Sequence, residues 1–449
     1  MRSASNPDLP VAIIGAGPVG LAAAAHAVRR GLTPLIFERG PTIATALRSW
    51  AHVHVFTPWR YNVDAAARDL LLEQGWQEPV PEGLPTGAEI VRNYLEPLAR
   101  HPDLAPHLRF NAEVQAIART GLDKLTTAGR AQAPFQILWR DASGTEHRTE
   151  ARAVLDASGT WGQPNPLGVD GLMVPGEREA RDRIAYGIPD ILGRARENYA
   201  GRRVLVAGSG HSAINAVLDL LRLQEESFGT SVIWALRRNG LEKVLGGGLD
   251  DKLAERGALG LAARRAIEEG RLDVLAPFAT ERLEPTGEEL ILTARVAGNT
   301  QTLTIDRIIV ATGSRPDLSL FRELRAALDP VVEAPLALAP LIDPNLHSCG
   351  TVPPHGTAEL AHPEPGFYIV GSKSYGRAPT FLMMTGYEQV RSVMAEIAGD
   401  HAAARDVQLV LPETGVCSTA SREAEAACCA PAAQPVPALV SSSCCGARA

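Results

Sequence analysis

Two stretches of this chain carry the same strand–glycine turn–helix pattern, and they constrain the fold more than any other feature. In the first, the β-branched run Val11–Ile14 leads into Gly15-Ala16-Gly17-Pro18-Val19-Gly20. An alanine-rich stretch to about Arg30 follows, then a capping Gly31, then the apolar run Leu35–Phe37 closed by Glu38-Arg39. In the second, Val204–Ala207 leads into Gly208-Ser209-Gly210-His211-Ser212-Ala213, a helical stretch over 214–223 and the strand Val232–Leu236, closed by Arg237-Arg238. Each is a βαβ unit. One glycine fingerprint alone is weak evidence. Two in one chain, each with its downstream strand, point to two dinucleotide-binding domains of the α/β, Rossmann-like class.

The three glycines of the first unit have separate tasks. Gly15 permits the tight turn, Gly17 lets the backbone approach a pyrophosphate, and Gly20 lets helix and strand pack closely. The helix that starts at Pro18 offers free N–H groups and a favourable dipole to the phosphates. Glu38 stands 18 residues beyond Gly20. A carboxylate there accepts bonds from a ribose diol and repels a 2′-phosphate, which fits the adenosine of FAD or NAD and not NADP. In the second unit Ala213 replaces the third glycine, which helix packing allows. Its strand ends in Arg237-Arg238, and a guanidinium at that place pairs with a 2′-phosphate, so NADPH is expected over NADH.

The chain of 449 residues is 45% apolar and 21% charged with net charge −7, enough for two or three ordinary globular domains. No basic stripe suggests nucleic acid. The apolar run from Val11 to Val28 is broken by Gly15, Gly17, Pro18, Gly20 and His26, so no membrane span is expected. The start MRSASNPDLP lacks a signal-peptide pattern, and a cytoplasmic protein, monomer or homodimer, is expected. The pattern predicts further strands at Leu108–Ile117, Phe135–Arg140 and Ala151–Leu155, a strand Leu303–Ala311 running into Thr312-Gly313, and a strand Phe367–Val370 running into Gly371. From about 401 the chain turns to Ala, Ser, Pro, Glu and Cys without periodicity, and 412–449 reads as a disordered tail.

This layout resembles the two-dinucleotide-binding-domain flavoproteins over residues 10–400. The resemblance implies an FAD domain built from both ends of the chain (1–160 and 306–400), an inserted NADPH domain (161–305) and a Cys-containing extension (401–449). It places the backbone of Val114 against adenine, matches Asp306–Gly313 to the family's strand-then-Thr-Gly motif, and makes Asp156-Ala157-Ser158-Gly159-Thr160-Trp161-Gly162 the hinge between the halves.

Six cysteines decide which reaction is open. A thioredoxin-reductase-like enzyme needs a Cys-x-x-Cys in the nicotinamide domain, and 161–305 contains no cysteine; a glutathione-reductase-like enzyme needs a pair just after the first βαβ unit, and 40–60 contains none. Oxygen activation remains, with a flavin C4a-hydroperoxide held dry beside a substrate. The Phe-x-Gly-x-x-x-His signature of Baeyer–Villiger and dimethylaniline-type monooxygenases is missing near 170–200.

Three segments carry a closer resemblance. They are Trp50-Ala51-His52-Val53-His54-Val55-Phe56-Thr57-Pro58-Trp59-Arg60-Tyr61-Asn62, His347-Ser348-Cys349-Gly350-Thr351-Val352-Pro353-Pro354-His355-Gly356, and Gly371-Ser372-Lys373-Ser374-Tyr375-Gly376-Arg377-Ala378-Pro379-Thr380-Phe381. With the junction Leu411-Pro412-Glu413-Thr414-Gly415-Val416-Cys417 they look like the flavoprotein monooxygenases of bacterial arsenic-resistance operons. That family oxidises trivalent arsenicals or antimonite with NADPH, FAD and dioxygen. The resemblance implies that Ser49, Trp50, Pro58, Trp59, Asn62, Gly371, Thr380 and Phe381 sit near the flavin. Many relatives place an Asp on the ribityl chain where this chain has Gly-Ser-Lys.

Trivalent arsenic and antimony are thiophilic, and Cys349 is a candidate substrate-facing thiol. His355 and Lys373 are candidate proton donors. The tail residues Cys417, Cys428, Cys429, Cys444 and Cys445 are candidate metalloid ligands that deliver substrate to the flavin. Two alternatives stay open: N- or S-oxygenation of an organic substrate, and a flavin-bearing metalloid chaperone or sensor.

Overall fold

The computed structural model describes residues 8–239, 254–346, 352–378 and 381–409. Cys349, Thr380 and the five tail cysteines lie outside the described residues, as does the tail expected over 412–449.

Two five-stranded parallel sheets organise the molecule. The first has the order β16-β7-β1-β2-β3, formed by Phe367–Ile369, Ala153–Asp156, Val11–Ile14, Pro34–Phe37 and Leu108–Arg109. The second has the order β8-β15-β9-β10-β11, formed by Ile184–Tyr186, Arg307–Val310, Arg203–Ala207, Ser231–Ala235 and Asp273–Leu275. The two sheets share one spatial layout, although the edge strand β16 comes last in the chain and its counterpart β8 comes first. Each glycine turn leaves the central strand, β1 or β9, which is flanked on both sides by parallel partners. All four residues of β1 are buried, as expected of a parallel strand covered on both faces. A three-stranded antiparallel sheet accompanies each parallel one: β4 (Glu113–Arg119), β5 (Phe135–Arg140) and β6 (Glu146–Ala151) in the first domain, and β12 (Phe278–Thr286), β13 (Glu289–Val296) and β14 (Asn299–Ile305) in the second.

Two expected strands are each divided. Leu108–Ile117 separates into β3 of the parallel sheet and β4 of the antiparallel one, because Asn111 turns the chain at φ 50° while its N–H binds the Gly40 carbonyl. Asparagine tolerates that left-handed conformation, and an apolar period does not reveal it. Leu303–Ala311 divides at Asp306, whose carboxylate takes the Arg203 backbone N–H at 2.7 Å and the Arg203 guanidinium at 2.8 Å. This has a consequence for the domain border. β15 pairs with β9 and β8 of the second sheet, so residues 307–310 lie with the second domain, while Phe321 and Leu324 already pack in the core with Ile14 and Phe37 of the first. The apolar pattern does not announce β8, β11, β12, β13 or the long helix Met383–Ala398, which packs across the helix Pro18–Arg29. Among the described residues no helix is long and apolar enough to cross a membrane.

Candidate functional site

Both glycine turns solve the same steric problem in the same way. Gly15 has φ 100°, and a Cβ there would fall 2.8 Å from the Ala157 carbonyl oxygen. Gly208 has φ 140°, and its Cβ would fall 2.3 Å from the Ala311 carbonyl oxygen. A Cβ on Gly20 would lie 1.9 Å from the Gly15 oxygen, so helix and turn touch there. Ala213 occupies the corresponding place in the second unit. The middle glycines behave oppositely: a Cβ on Gly17 or Gly210 meets no protein atom within 4 Å. Gly17 and Gly210 are the N-caps of the helices Pro18–Arg29 and His211–Glu226. Neither helix has a side-chain cap or an acidic residue in its first turn. Each helix therefore opens toward free space over a side-chain-free glycine, an arrangement that suits a pyrophosphate.

The strand ends differ in charge. Glu38 is buried, and its carboxylate accepts the Ala16 N–H at 3.0 Å, the Gly40 N–H at 2.9 Å and the Thr45 hydroxyl at 3.2 Å. It thus ties the first glycine turn to the chain beyond β2. Arg39 beside it is exposed, and its guanidinium lies over Gly162 in the hinge. Arg237 and Arg238 are exposed, with no ion pair among the described residues.

Of the residues expected at the flavin, Gly371 stands beside the first helix: its Cβ would lie 3.4 Å from the Val19 side chain, and its N–H donates to Gln389 Oε1 at 2.8 Å. Phe381 packs edge-on to Tyr375 at 5.3 Å. Trp50 faces Trp161 of the hinge at 6.3 Å, and Phe56 meets His211 at 5.3 Å, so the segment 50–56 touches the second domain. Between them, His52 has both ring nitrogens buried without a hydrogen-bond partner among the described residues. Pro58 and Trp59 are buried. Asn62 is fully buried but clasps its own loop, donating to the Thr57 and Pro58 carbonyls at 2.7 and 3.1 Å. Ser49 is exposed and donates to the Ala46 carbonyl. Val114 is buried opposite Trp139 in the antiparallel sheet.

The hinge has two strands of chain, not one. Asn165 N–H donates to the Gly313 carbonyl at 2.9 Å, its side chain to the Thr312 carbonyl at 3.1 Å, and the Ser314 hydroxyl to Thr160 at 2.8 Å. Gly159 and Gly313, with φ 70° and 86°, turn these two crossings.

His355 and Lys373, the expected proton donors, both have hydrogen-bond partners within the fold. His355 is buried, its Nδ1–H donates to the Pro353 carbonyl, and its Nε2 accepts from Gln389 at 2.9 Å. Burial lowers its pKa, which favours the neutral ring. Lys373 is 1% exposed and paired with Asp156 at 2.6 Å. Asp156 and Ser158, quoted in the sequence only as part of the hinge, therefore join the site. The acid closing the buried run Ala153–Asp156 was the signal available for them.

Two parallel-sheet domains, each with a glycine turn leaving its central strand for a helix, define a two-dinucleotide-binding-domain flavoprotein. The chain belongs to the pyridine nucleotide-disulphide oxidoreductase family, whose model matches residues 12–335. It is an oxidoreductase with FAD and NADP(H) as cofactors. It is 25% identical to a ferredoxin–NADP reductase of Thermus thermophilus over 76% of this chain and 84% of that protein. It is 29% identical to the indole-3-pyruvate monooxygenase YUCCA6 of Arabidopsis thaliana over 46% of this chain, a match spanning 44% of the plant enzyme. The bacillithiol disulfide reductase Bdr of Bacillus cereus shares the fold with a TM-score of 0.65 at 18% identity, covering 88% of this chain and 99% of that one. The chain is thus similar both to reductases and to a monooxygenase.

Proposed function

We propose that this protein is an FAD- and NADPH-dependent monooxygenase that oxidises trivalent arsenic or antimony compounds to their pentavalent forms. The observation that carries this reading is the distribution of thiols. No cysteine precedes Cys349, so neither position that serves a disulfide reductase has a redox pair. In this reading the electrons from NADPH pass to dioxygen and not to a disulfide or a ferredoxin, and the thiols that remain suit a soft substrate. The resemblance of the segments 50–62, 347–356 and 371–381 to the arsenic-operon monooxygenases supplies the substrate class.

Bound FAD would supply hydride-accepting and oxygen-activating chemistry. The chain's own contributions are binding and exclusion of water. The uncapped helix at Gly17 receives the FAD pyrophosphate, and the helix at Gly210 with Arg237 and Arg238 receives NADPH. Trp50, Trp59, Tyr375 and Phe381 give apolar walls, and Cys349 offers a thiol to the metalloid. Since His355 and Lys373 are engaged, protons reach the product from solvent or from another group.

A second reading, N- or S-oxygenation of an organic substrate, is favoured by the similarity to the plant monooxygenase over 46% of this chain. One experiment separates them. NADPH oxidation by the FAD-loaded protein is followed with antimonite, methylarsenite, an amine and a thioether, with pentavalent product measured directly. Stimulation by the metalloids with pentavalent product supports the proposal. Stimulation by the amine or thioether alone replaces it with the second reading, and no stimulation by any substrate overturns both.

A further inference from the structure

Lys373 is one of only four lysines in the chain, and both it and Asp156 have fully buried side chains. Lysine is almost never so buried unless paired. Removing two charges from water is costly, and an apolar pair of similar volume commonly gives equal or greater stability. The location of the pair suggests what it achieves instead.

Three turns meet at it. Lys373 Nζ donates to Asp156 Oδ2 at 2.6 Å and to Ser158 Oγ at 3.1 Å, and it faces the Phe321 ring at 5.5 Å. The other carboxylate oxygen of Asp156 accepts the Ser158 N–H at 3.1 Å and the Ser158 hydroxyl at 2.6 Å. These bonds shape the turn leaving β7. That turn abuts the first glycine loop, since a Cβ on Gly15 would lie 2.8 Å from the Ala157 oxygen and 3.0 Å from Ser158 Cα. On its other side, a Cβ on Gly159 would lie 3.5 Å from Ser372 Oγ, in the turn leaving β16. Gly15, Gly159 and Gly371 all have positive φ, at 100°, 70° and 70°. The pair thus clamps the exits of β7 and β16 against the exit of β1.

We propose that Lys373 and Asp156 are positioning residues for FAD: through the Ser158 turn they fix the first glycine loop and the Gly371–Ser372 backbone in the geometry that receives the dinucleotide. This does not depend on which substrate is oxidised. It rests on FAD occupying the first glycine loop, and an independent Gly17 variant checks that premise.

The test uses the full-length protein stripped of FAD and compares Lys373→Met, the charge-free pair Lys373→Met with Asp156→Leu, and Ser158→Ala. Thermal melting reports folding. FAD affinity comes from fluorescence titration, the flavin absorption band from the reloaded protein, and NADP+ affinity from calorimetry. The expected result is a loss of FAD affinity of roughly tenfold or more for the charge-free pair and of a few-fold for Ser158→Ala. Both should shift the flavin band, and NADP+ affinity should stay within twofold of wild type, because its loop lies on the other sheet. If Lys373→Met alone leaves Asp156 uncompensated and unfolds the protein, the other two variants carry the test. Wild-type FAD affinity and spectrum in the charge-free pair, or in Ser158→Ala, would overturn the proposal. So would a parallel loss of FAD and NADP+ binding, the mark of general destabilisation, or failure of both variants to fold.

Discussion

The substitutions Gly17→Ala and Gly210→Ala isolate dinucleotide binding from folding. Gly17 has φ −81° and Gly210 φ −90°, values any residue adopts. Neither new methyl meets a protein atom within 4 Å. Stability should therefore hold or rise by about 0.4–1 kcal/mol, because alanine has less backbone freedom to lose on folding. The methyl does enter the space from which a pyrophosphate approaches the helix N-terminus. Losing one charge-assisted bond there costs about 1.5–3 kcal/mol, roughly a tenfold to hundredfold weakening. Gly17→Ala should weaken FAD and spare NADP+; Gly210→Ala should do the reverse. Titrating each variant with both nucleotides, alongside melting curves, reads the outcome. Gly20→Ala is the contrast, since its methyl would fall 1.9 Å from the Gly15 oxygen and overpacking should destabilise the fold itself by about 1–3 kcal/mol. FAD binding by Gly17→Ala within twofold of wild type, or melting as early as Gly20→Ala, would refute the role assigned to Gly17.

Three further outcomes are expected. Arg237→Ala and Arg238→Ala should each raise the KM for NADPH by roughly tenfold or more while leaving NADH unchanged, as the loss of a guanidinium–phosphate pair requires; equal effects on both nucleotides would assign these arginines elsewhere. Burial holds the His362 pKa down at about 4 against an ordinary 6.5, so the unfolded chain binds the proton first. Stability should fall as pH drops from 6.5 to 4, by about 3 kcal/mol from this residue, and His362→Gln should flatten that part of the pH–melting curve. Truncation after residue 412 should leave turnover unchanged at saturating antimonite and lower it at scarce substrate if the tail cysteines collect metalloid; identical turnover and metalloid binding at low concentration would remove that role.

The sequence by itself determined the two glycine turns, the helices they open and the opposite charges at the two strand ends. These are local features. A glycine turn declares itself by the residues it cannot replace, and a short β-branched run before it marks a buried parallel strand. The tertiary structure decided what depends on contacts across long separations. Asp306 turns the chain by binding Arg203 more than a hundred positions earlier, which sets β15 beside β9 in the second sheet. Lys373 stands 217 positions from Asp156, and nothing near either residue announces the partner. Its type and its place in a loop suggested a proton donor. Its burial made it one half of a clamp, because a charge taken out of water is held by whichever opposite charge the fold brings to it.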